Sequence, residues 1–226
     1  MAIRQAKYIL DDYPEDFPPK KYFIDQHWVT QQQFEEFKSL IEDGAGEREI
    51  DRFIKKNLSI LSTALSFFRT GHHGSWIIPQ QDIKPSTEYP GLKPDYLIGG
   101  KNSDGFSWSV IDLKGAGAPI FSTKGKRVHF STETNKGVFQ VLEYMSYCSR
   151  YQSFMRESLK LVNLTQPMGI LIIGRECELL DDRRRMDLRA DWNRLTNGNL
   201  HVRTYDALLR AIEQLITNKV SKKTSQ

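Results

Sequence analysis

Apolar residues at 96–99 and 107–113 form two short, nearly continuous runs, separated by the turn-forming residues Asn102, Ser103, Asp104 and Gly105. Runs of this length bounded by such residues predict two strands joined as a hairpin. Upstream the period changes. Phe34, Phe37, Leu40 and Ile41 recur at helical spacing, and Thr30 with Gln33 is a capping-box pair, so a helix is predicted to about residue 42. Ile50, Phe53, Ile54, Leu58 and Leu61 predict a second helix from about residue 47, continuing with some interruption to about residue 68. Residues 76–83 then read as a strand in which Pro79 marks an edge or a bulge.

Downstream, the polar residues 118–137 predict a hairpin or flap, and residues 138–155 a helix. That helix carries Gln140, Tyr144, Tyr147 and Tyr151 along one stripe, beside an apolar flank of Val141, Leu142, Met145 and Cys148. The apolar run at 168–174 suits a strand buried on both faces. A helix over 184–195, a strand over 200–204 and a helix over 206–217 complete the core, and 218–226 reads as a frayed tail. Residues 1–28 mix Pro14, Pro18 and Pro19 with Tyr8, Tyr13, Phe17, Tyr22 and Phe23, which predicts an extended arm packed on something, ahead of one domain over 29–217. The order is that of an α/β fold with a central mixed sheet flanked by helices.

The 226 residues suffice for one domain with a real core. No apolar run approaches the roughly 20 residues that span a bilayer, and the start lacks a signal-peptide core, so a cytosolic (cytoplasmic) protein without membrane contact is expected. Cys148 and Cys177 stand far apart with no Cys-x-x-Cys pair, which predicts free thiols. The net charge of +4 permits contact with nucleic acid without demanding it. Lys124, Lys126, Arg127, His129 and Lys136 cluster after the hairpin, either as a phosphate-contacting patch or as a solvated face.

Chemistry concentrates at the end of the hairpin. Period two along the second strand puts Asp112 and Lys114 on one face, a pairing for which a buried strand has no structural use. Asp95, just after Pro94, is brought beside Asp112 when the strands pair. Two carboxylates that close repel unless a cation neutralises them, and oxygen ligands suit a hard ion such as Mg²⁺. A cation on two Asp, with a Lys to orient or deprotonate water and stabilise developing charge, is an arrangement for cleaving a phosphodiester. Gly115-Ala-Gly117 lacks the third glycine and the Gly-Lys-Ser/Thr ending of a nucleotide-binding loop. His72 and His73 are adjacent, would face opposite sides of a strand, and read as loop residues.

Pro-Asp, one hairpin, then Asp-x-Lys resembles the signature of the PD-(D/E)xK nuclease superfamily. A more specific resemblance is to the nuclease domain of the Shedu anti-phage defence family. It is carried by Glu49-Ile-Asp-Arg-Phe53-Ile with Asn57, Trp76-Ile-Ile, Lys93-Pro-Asp-Tyr-Leu-Ile, Ile111-Asp-Leu-Lys114, Gln140 with Tyr144, and Arg203-Thr-Tyr-Asp-Ala-Leu-Leu, over roughly residues 30–215. The resemblance implies a restriction-endonuclease-like core and a DNA endonuclease or nickase that uses Mg²⁺ or Mn²⁺. It implies that Glu49, Asp95 and Asp112 hold the metal with the carbonyl of Leu113, that Lys114 positions or activates the water, and that Gln140 helps orient water, a ligand or the phosphate. Glu47, nearer the face of Ile50 and Ile54, rivals Glu49, whose spacing to Phe53 fits the family pattern better. Tyr144 joins Lys124, Lys126, Arg127 and Lys136 as candidate DNA contacts. The alternative is a nuclease fold that binds nucleic acid or a partner without cutting. Many Shedu proteins carry a large variable N-terminal sensing region, so sensing here is expected to rest on the arm, the assembly or an activating partner. A lone module cuts both strands most easily as a symmetric pair, so a homo-oligomer is expected.

Overall fold

The structure, a computed structural model, describes residues 13–24, 29–64, 74–87, 90–124 and 126–224. Its strands are β1 (Phe23–Ile24), β2 (Ser75–Pro79), β3 (Tyr96–Asn102), β4 (Gly105–Leu113), β5 (Phe121–Lys124), β6 (Arg127–Phe130), β7 (Met168–Ile172) and β8 (Leu200–Arg203). The helices are α1 (Gln31–Glu42), α2 (Glu47–Lys56), α3 (Ser59–Ala64), α4 (Thr132–Arg150), α5 (Gln152–Glu157), α6 (Cys177–Leu180), α7 (Arg183–Leu195) and α8 (Tyr205–Thr224).

A six-stranded sheet runs in the order β1-β2-β3-β4-β7-β8. Pairing is antiparallel from β1 to β4 and parallel from β4 through β7 to β8. Within this sheet a tight turn joins β3 to β4, α1, α2 and α3 lie between β1 and β2, and the parallel pairing of β4 with β7 needs a crossover, which the β5–β6 hairpin, α4 and α5 supply. Ile98, Ile111, Leu113, Ile170 and Ile172 turn one face of the sheet toward α1, α2 and α8. Leu97 and Val110 turn the other toward α4 and α5, and Leu171 turns it toward α4 and α7. The fold is therefore α/β, with a mixed sheet between two helical layers. Among the described residues no helix is long and apolar enough to cross a membrane.

The β3–β4 hairpin pairs from Tyr96↔Ile111 to Asn102↔Gly105, so its turn is only Ser103 and Asp104, tighter than the polar stretch suggests. Asn102 closes it by accepting the Asp104 N–H at 2.9 Å. Gly99 belongs to β3 because the Trp108 ring lies across it, and a Cβ there would come within 2.7 Å of that ring. Pro79 ends β2 beyond the two residues that β1 covers. The next amide, Gln80 N–H, turns toward β3 to reach the Asp95 carbonyl at 2.8 Å, so the proline nitrogen faces away and no ladder bond is lost.

Side-chain competition for the backbone explains where helices begin and stop. The capping box of Thr30 and Gln33 is present at α1. The second predicted helix instead breaks into α2 and α3 at Asn57, whose amide donates to the Phe53 carbonyl at 3.0 Å and accepts from Gln33 at 2.8 Å. Residues 65–68 of that prediction, and His72 and His73, lie outside the described residues. Helix α4 starts at Thr132, well before the predicted 138, because Ser131 caps it by accepting the Thr134 N–H at 3.0 Å while donating to the Pro119 carbonyl at 2.5 Å. The rest of 118–137 is the β5–β6 hairpin. Within the predicted arm, Tyr13, Phe17 and Phe23 pack around Trp76, whose indole N–H donates to the Tyr13 hydroxyl at 2.6 Å, and β1 pairs with β2. Tyr8 lies outside the described residues. Of the cysteines, Cys148 is buried and Cys177 exposed, and both are free thiols.

Candidate active site

Continuing the Tyr96↔Ile111 register by one residue sets Asp95 opposite Asp112, on the face that carries Leu97 and Val110. Asp95 Oδ2 accepts the Leu113 N–H at 2.7 Å. A residue's amide and carbonyl leave a strand on the same side, so the Leu113 carbonyl faces the same gap. Asp112 is 3% exposed, and its Oδ2 lies 2.7 Å from Lys114 Nζ. That approach is close but not aligned as a hydrogen bond, which leaves Oδ2 a buried oxygen with an ionic neighbour and no directed donor.

Burial raises both carboxyls. It carries Asp95 to about 6, partly offset by the Leu113 amide and reinforced by Glu47, and Asp112 to about 7 against the pull of Lys114. Burial alone would lower Lys114, but Asp112, Glu47 and Asp95 together outweigh it and hold the ammonium above its usual range. The lysine is a cation first.

The backbone of Lys114 is clamped on both sides. Its N–H donates to the Ile172 carbonyl at 2.9 Å, and its carbonyl accepts from the Tyr205 hydroxyl at 2.7 Å, with the Tyr205 side chain fully buried. Beyond it, Ala116 N–H reaches the Ala45 carbonyl at 2.8 Å, and Gly117 lies so close to the turn before α2 that a Cβ would meet the Gly44 carbonyl oxygen at 2.9 Å. Backbone thus lies on backbone where β4 ends and α2 begins.

This stitching decides between the two helix carboxylates. Glu47 Oε2 stands 3.7 Å from Lys114 Nζ. Glu47 and Glu49 are both exposed, but Glu49 lies beside Arg48 and Arg52 and among the described residues makes no ion pair with the cluster, so Glu47 is the helix carboxylate that approaches Lys114. The reason is helical period: Glu49 points about 200° round the axis from Glu47, whereas Ile50 and Ile54, buried in the core, follow Glu47 at i+3 and i+7. Asp51 shares that face, accepts from the Tyr96 hydroxyl at 2.7 Å and pairs with Lys55 at 2.6 Å. Sequence reasoning passed over Asp51, although its i+4 spacing from Glu47 was there to read.

Two further expectations fall differently. Tyr144 is buried, its hydroxyl donating to the Lys93 carbonyl at 3.3 Å, and burial raises the phenol to about 12. It braces the segment that delivers Asp95 and leaves only 8% of its surface exposed. Gln140 is exposed one turn earlier, in an open groove of about 530 Å³ with Thr132, Asn135, Lys136 and Phe139. Among the described residues it makes no hydrogen bond to Asp95, Asp112 or Lys114.

The basic residues sit on an amphipathic hairpin. Phe121 and Phe130 stack at 5.7 Å on its inner face, with Phe130 edge-on to Trp192 at 5.5 Å. Its outer face sets Lys124 directly opposite Arg127, both exposed, as is Lys126. Like charges so placed weaken a sheet unless an anion lies across them. Glu178 anchors the base by accepting from the amides of Ile120 and Phe121 at 3.1–3.3 Å, and Arg184 donates to the Lys126 carbonyl at 2.9 Å. Lys136, on α4, is 3.3 Å from Glu133.

A family model described as Shedu protein SduA, C-terminal, matches residues 44–209. The chain belongs to the Shedu anti-phage defence family. The matched span opens on the turn before α2 and closes within α8, so it holds Glu47, Asp95, Asp112, Lys114 and Tyr205 alike. Comparison with curated proteins finds no match.

In this Shedu protein no group of three His, Cys, Asp or Glu side chains among the described residues converges as a ready metal cage. Mg²⁺ does not require one, because it takes one or two carboxylates and keeps several waters. Asp95, the undirected Oδ2 of Asp112 and the Leu113 carbonyl fit such an ion, while Glu47 is engaged with Lys114.

The raised carboxyls make metal-free stability depend on pH. Their folded values lie above the unfolded 3.8, so the folded state binds the extra protons, and the stability they contribute is full below about pH 4 and lost as pH rises through about 6 and 7. In EDTA the melting temperature should fall by a few degrees across that window, and Asp112→Asn should flatten the fall. Parallel curves for wild type and variant would mean that burial of Asp112 does not govern the slope.

Proposed function

We propose that this Shedu protein is a DNA endonuclease or nickase that uses Mg²⁺ or Mn²⁺. The observation that carries the reading is the half-buried Asp95 facing the buried Asp112, with one oxygen lacking a directed donor, beside a lysine whose backbone is clamped. A divalent cation bound there would polarise a phosphoryl oxygen and acidify a water. Asp95 and Asp112 would hold the ion, with Leu113 N–H fixing the Asp95 carboxylate. Lys114, kept cationic by the carboxylates around it, orients the water and offsets charge on the phosphate rather than taking a proton. Glu47 steers the lysine head, Gln140 faces the approaching strand, and Lys124, Lys126, Arg127 and Lys136 hold phosphates ahead of the cut. A symmetric pair of chains would bring two such sites to the two strands of a duplex, and a sensing or activating partner would engage the surface away from them.

The alternative is a module that binds DNA without cutting it. Purified protein on supercoiled plasmid with Mg²⁺, Mn²⁺ or EDTA, beside Lys114→Ala, separates the two. Metal-dependent nicking or linearisation lost in the variant is expected. Salt-sensitive DNA binding with no cleavage in any divalent metal would establish the alternative. In the same assay Glu47→Gln should slow cleavage about tenfold and Glu49→Gln less than about twofold, whereas the reverse order would return Glu49 to the site.

A further inference from the structure

Phe139 leaves 69% of its surface in water in the middle of a long helix, with Leu142 one turn on at 41%. Helix α4 does not need it for packing, since Gly137, Val141, Tyr144 and Cys148 already supply its inward face. Thr132, Asn135 and Phe139 follow one another at i, i+3 and i+7, with Lys136 and Gln140 alongside, and together they line the open groove of about 530 Å³. Each part answers a part of a nucleotide. The ring offers a flat apolar face, the side-chain amides of Asn135 and Gln140 offer donors and acceptors for a base edge, and Lys136 offers a cation. The Asn135 side-chain amide donates one N–H to the Phe130 carbonyl at 3.2 Å, which leaves its second N–H and its carbonyl oxygen for a ligand. The Lys136–Glu133 pair, at 3.3 Å, is solvent-exposed and so holds the lysine only weakly.

Away from its ends a duplex keeps its base faces stacked and could offer this ring nothing but its edge. We infer that the groove on α4 takes an unpaired nucleotide of single-stranded DNA, with the base stacked on Phe139 and the phosphate at Lys136. The inference deepens the nuclease reading and rests on it for one point, the path of the strand: Gln140 lines the groove one turn before Tyr144, which bonds to Lys93 two residues ahead of Asp95. A base held at Phe139 lies beside Gln140, one turn from the tyrosine tied to the segment that carries Asp95, and melted or gapped DNA becomes the favoured substrate class.

The test measures binding in the Lys114→Ala background with Mg²⁺, using a short single-stranded oligonucleotide carrying 2-aminopurine and a blunt duplex of the same sequence. Phe139→Ala should weaken the single strand about tenfold and the duplex less than about twofold, and Phe139→Trp should keep the affinity and quench 2-aminopurine. Phe139 is exposed, so folding is not at stake, and the tryptophan variant guards against an unspecific effect. Equal affinities of Phe139→Ala and its parent for the single strand would overturn the inference, as would equal losses on both DNAs or no measurable single-strand binding. A change in gel-filtration size with unaltered DNA affinity would overturn it too, by making the face a contact between copies. Failure of the nuclease reading would show separately, as an inert protein in the plasmid assay.

Discussion

Asp112→Ala is expected to reduce plasmid cleavage by on the order of a thousandfold and to lose Mn²⁺ binding in calorimetric titration, while Lys114→Ala is equally inactive yet still binds the ion. The asymmetry follows from where each group sits. Asp112 faces Asp95 across the hairpin and holds the oxygen without a directed donor, so removing it dismantles the ligand pair. Lys114 is held through its backbone by Ile172 and Tyr205, so removing its side chain spares the geometry of the two carboxylates. Neither change should unfold the protein. Asp112 is a carboxyl raised by burial, and its removal relieves that desolvation. Mn²⁺ binding unchanged in Asp112→Ala, with melting temperature also unchanged, would move the metal away from this hairpin.

Gly117→Val should depress cleavage about a hundredfold while lowering the melting temperature by only a few degrees. The new side chain would start 2.9 Å from the Gly44 carbonyl oxygen, a contact in which both partners are backbone and neither can rotate aside. The chain would part there, straining the Ala116–Ala45 hydrogen bond, whose net worth is about 1 kcal/mol, and drawing Glu47 off Lys114. Gly46→Ala is the matched control, because its methyl group meets nothing within 4 Å. Kinetics and thermal melting on the same preparations decide the matter. Activity that falls only with the folded fraction would reduce the turn to a structural contact.

What the chain discloses in advance depends on how far apart the causes lie. The β3–β4 hairpin and the shared face of Asp112 and Lys114 follow from local period, which a single strand carries within itself. The choice between Glu47 and Glu49 was equally local, since Ile50 and Ile54 mark the inward face, but matching to a family pattern pointed the other way. Tyr144 reads as one of a polar and aromatic stripe, and only its reach to the Lys93 carbonyl shows that it is structural. The early start of α4 was hidden because Thr-Glu-Thr-Asn-Lys-Gly looks like a loop until Ser131 is seen capping it. The clamp on Lys114 leaves no trace in any pattern, since a backbone carbonyl has the same chemistry at every position.

The mixed sheet also sets an order of assembly. Asp95 and Leu113 are 18 residues apart and meet through a hairpin with a two-residue turn, a contact that closes a short loop. The Tyr205 bond to Lys114 spans 91 residues and awaits the parallel pairing of β7 and β8, the slow kind of contact in a folding chain. The carboxylate pair can therefore come together early in folding, before the lysine beside it is held in place. On the proposed nuclease reading, a partly folded chain would present the carboxylate pair before the lysine that cleavage requires is in place, so activity would wait until the last strands have docked.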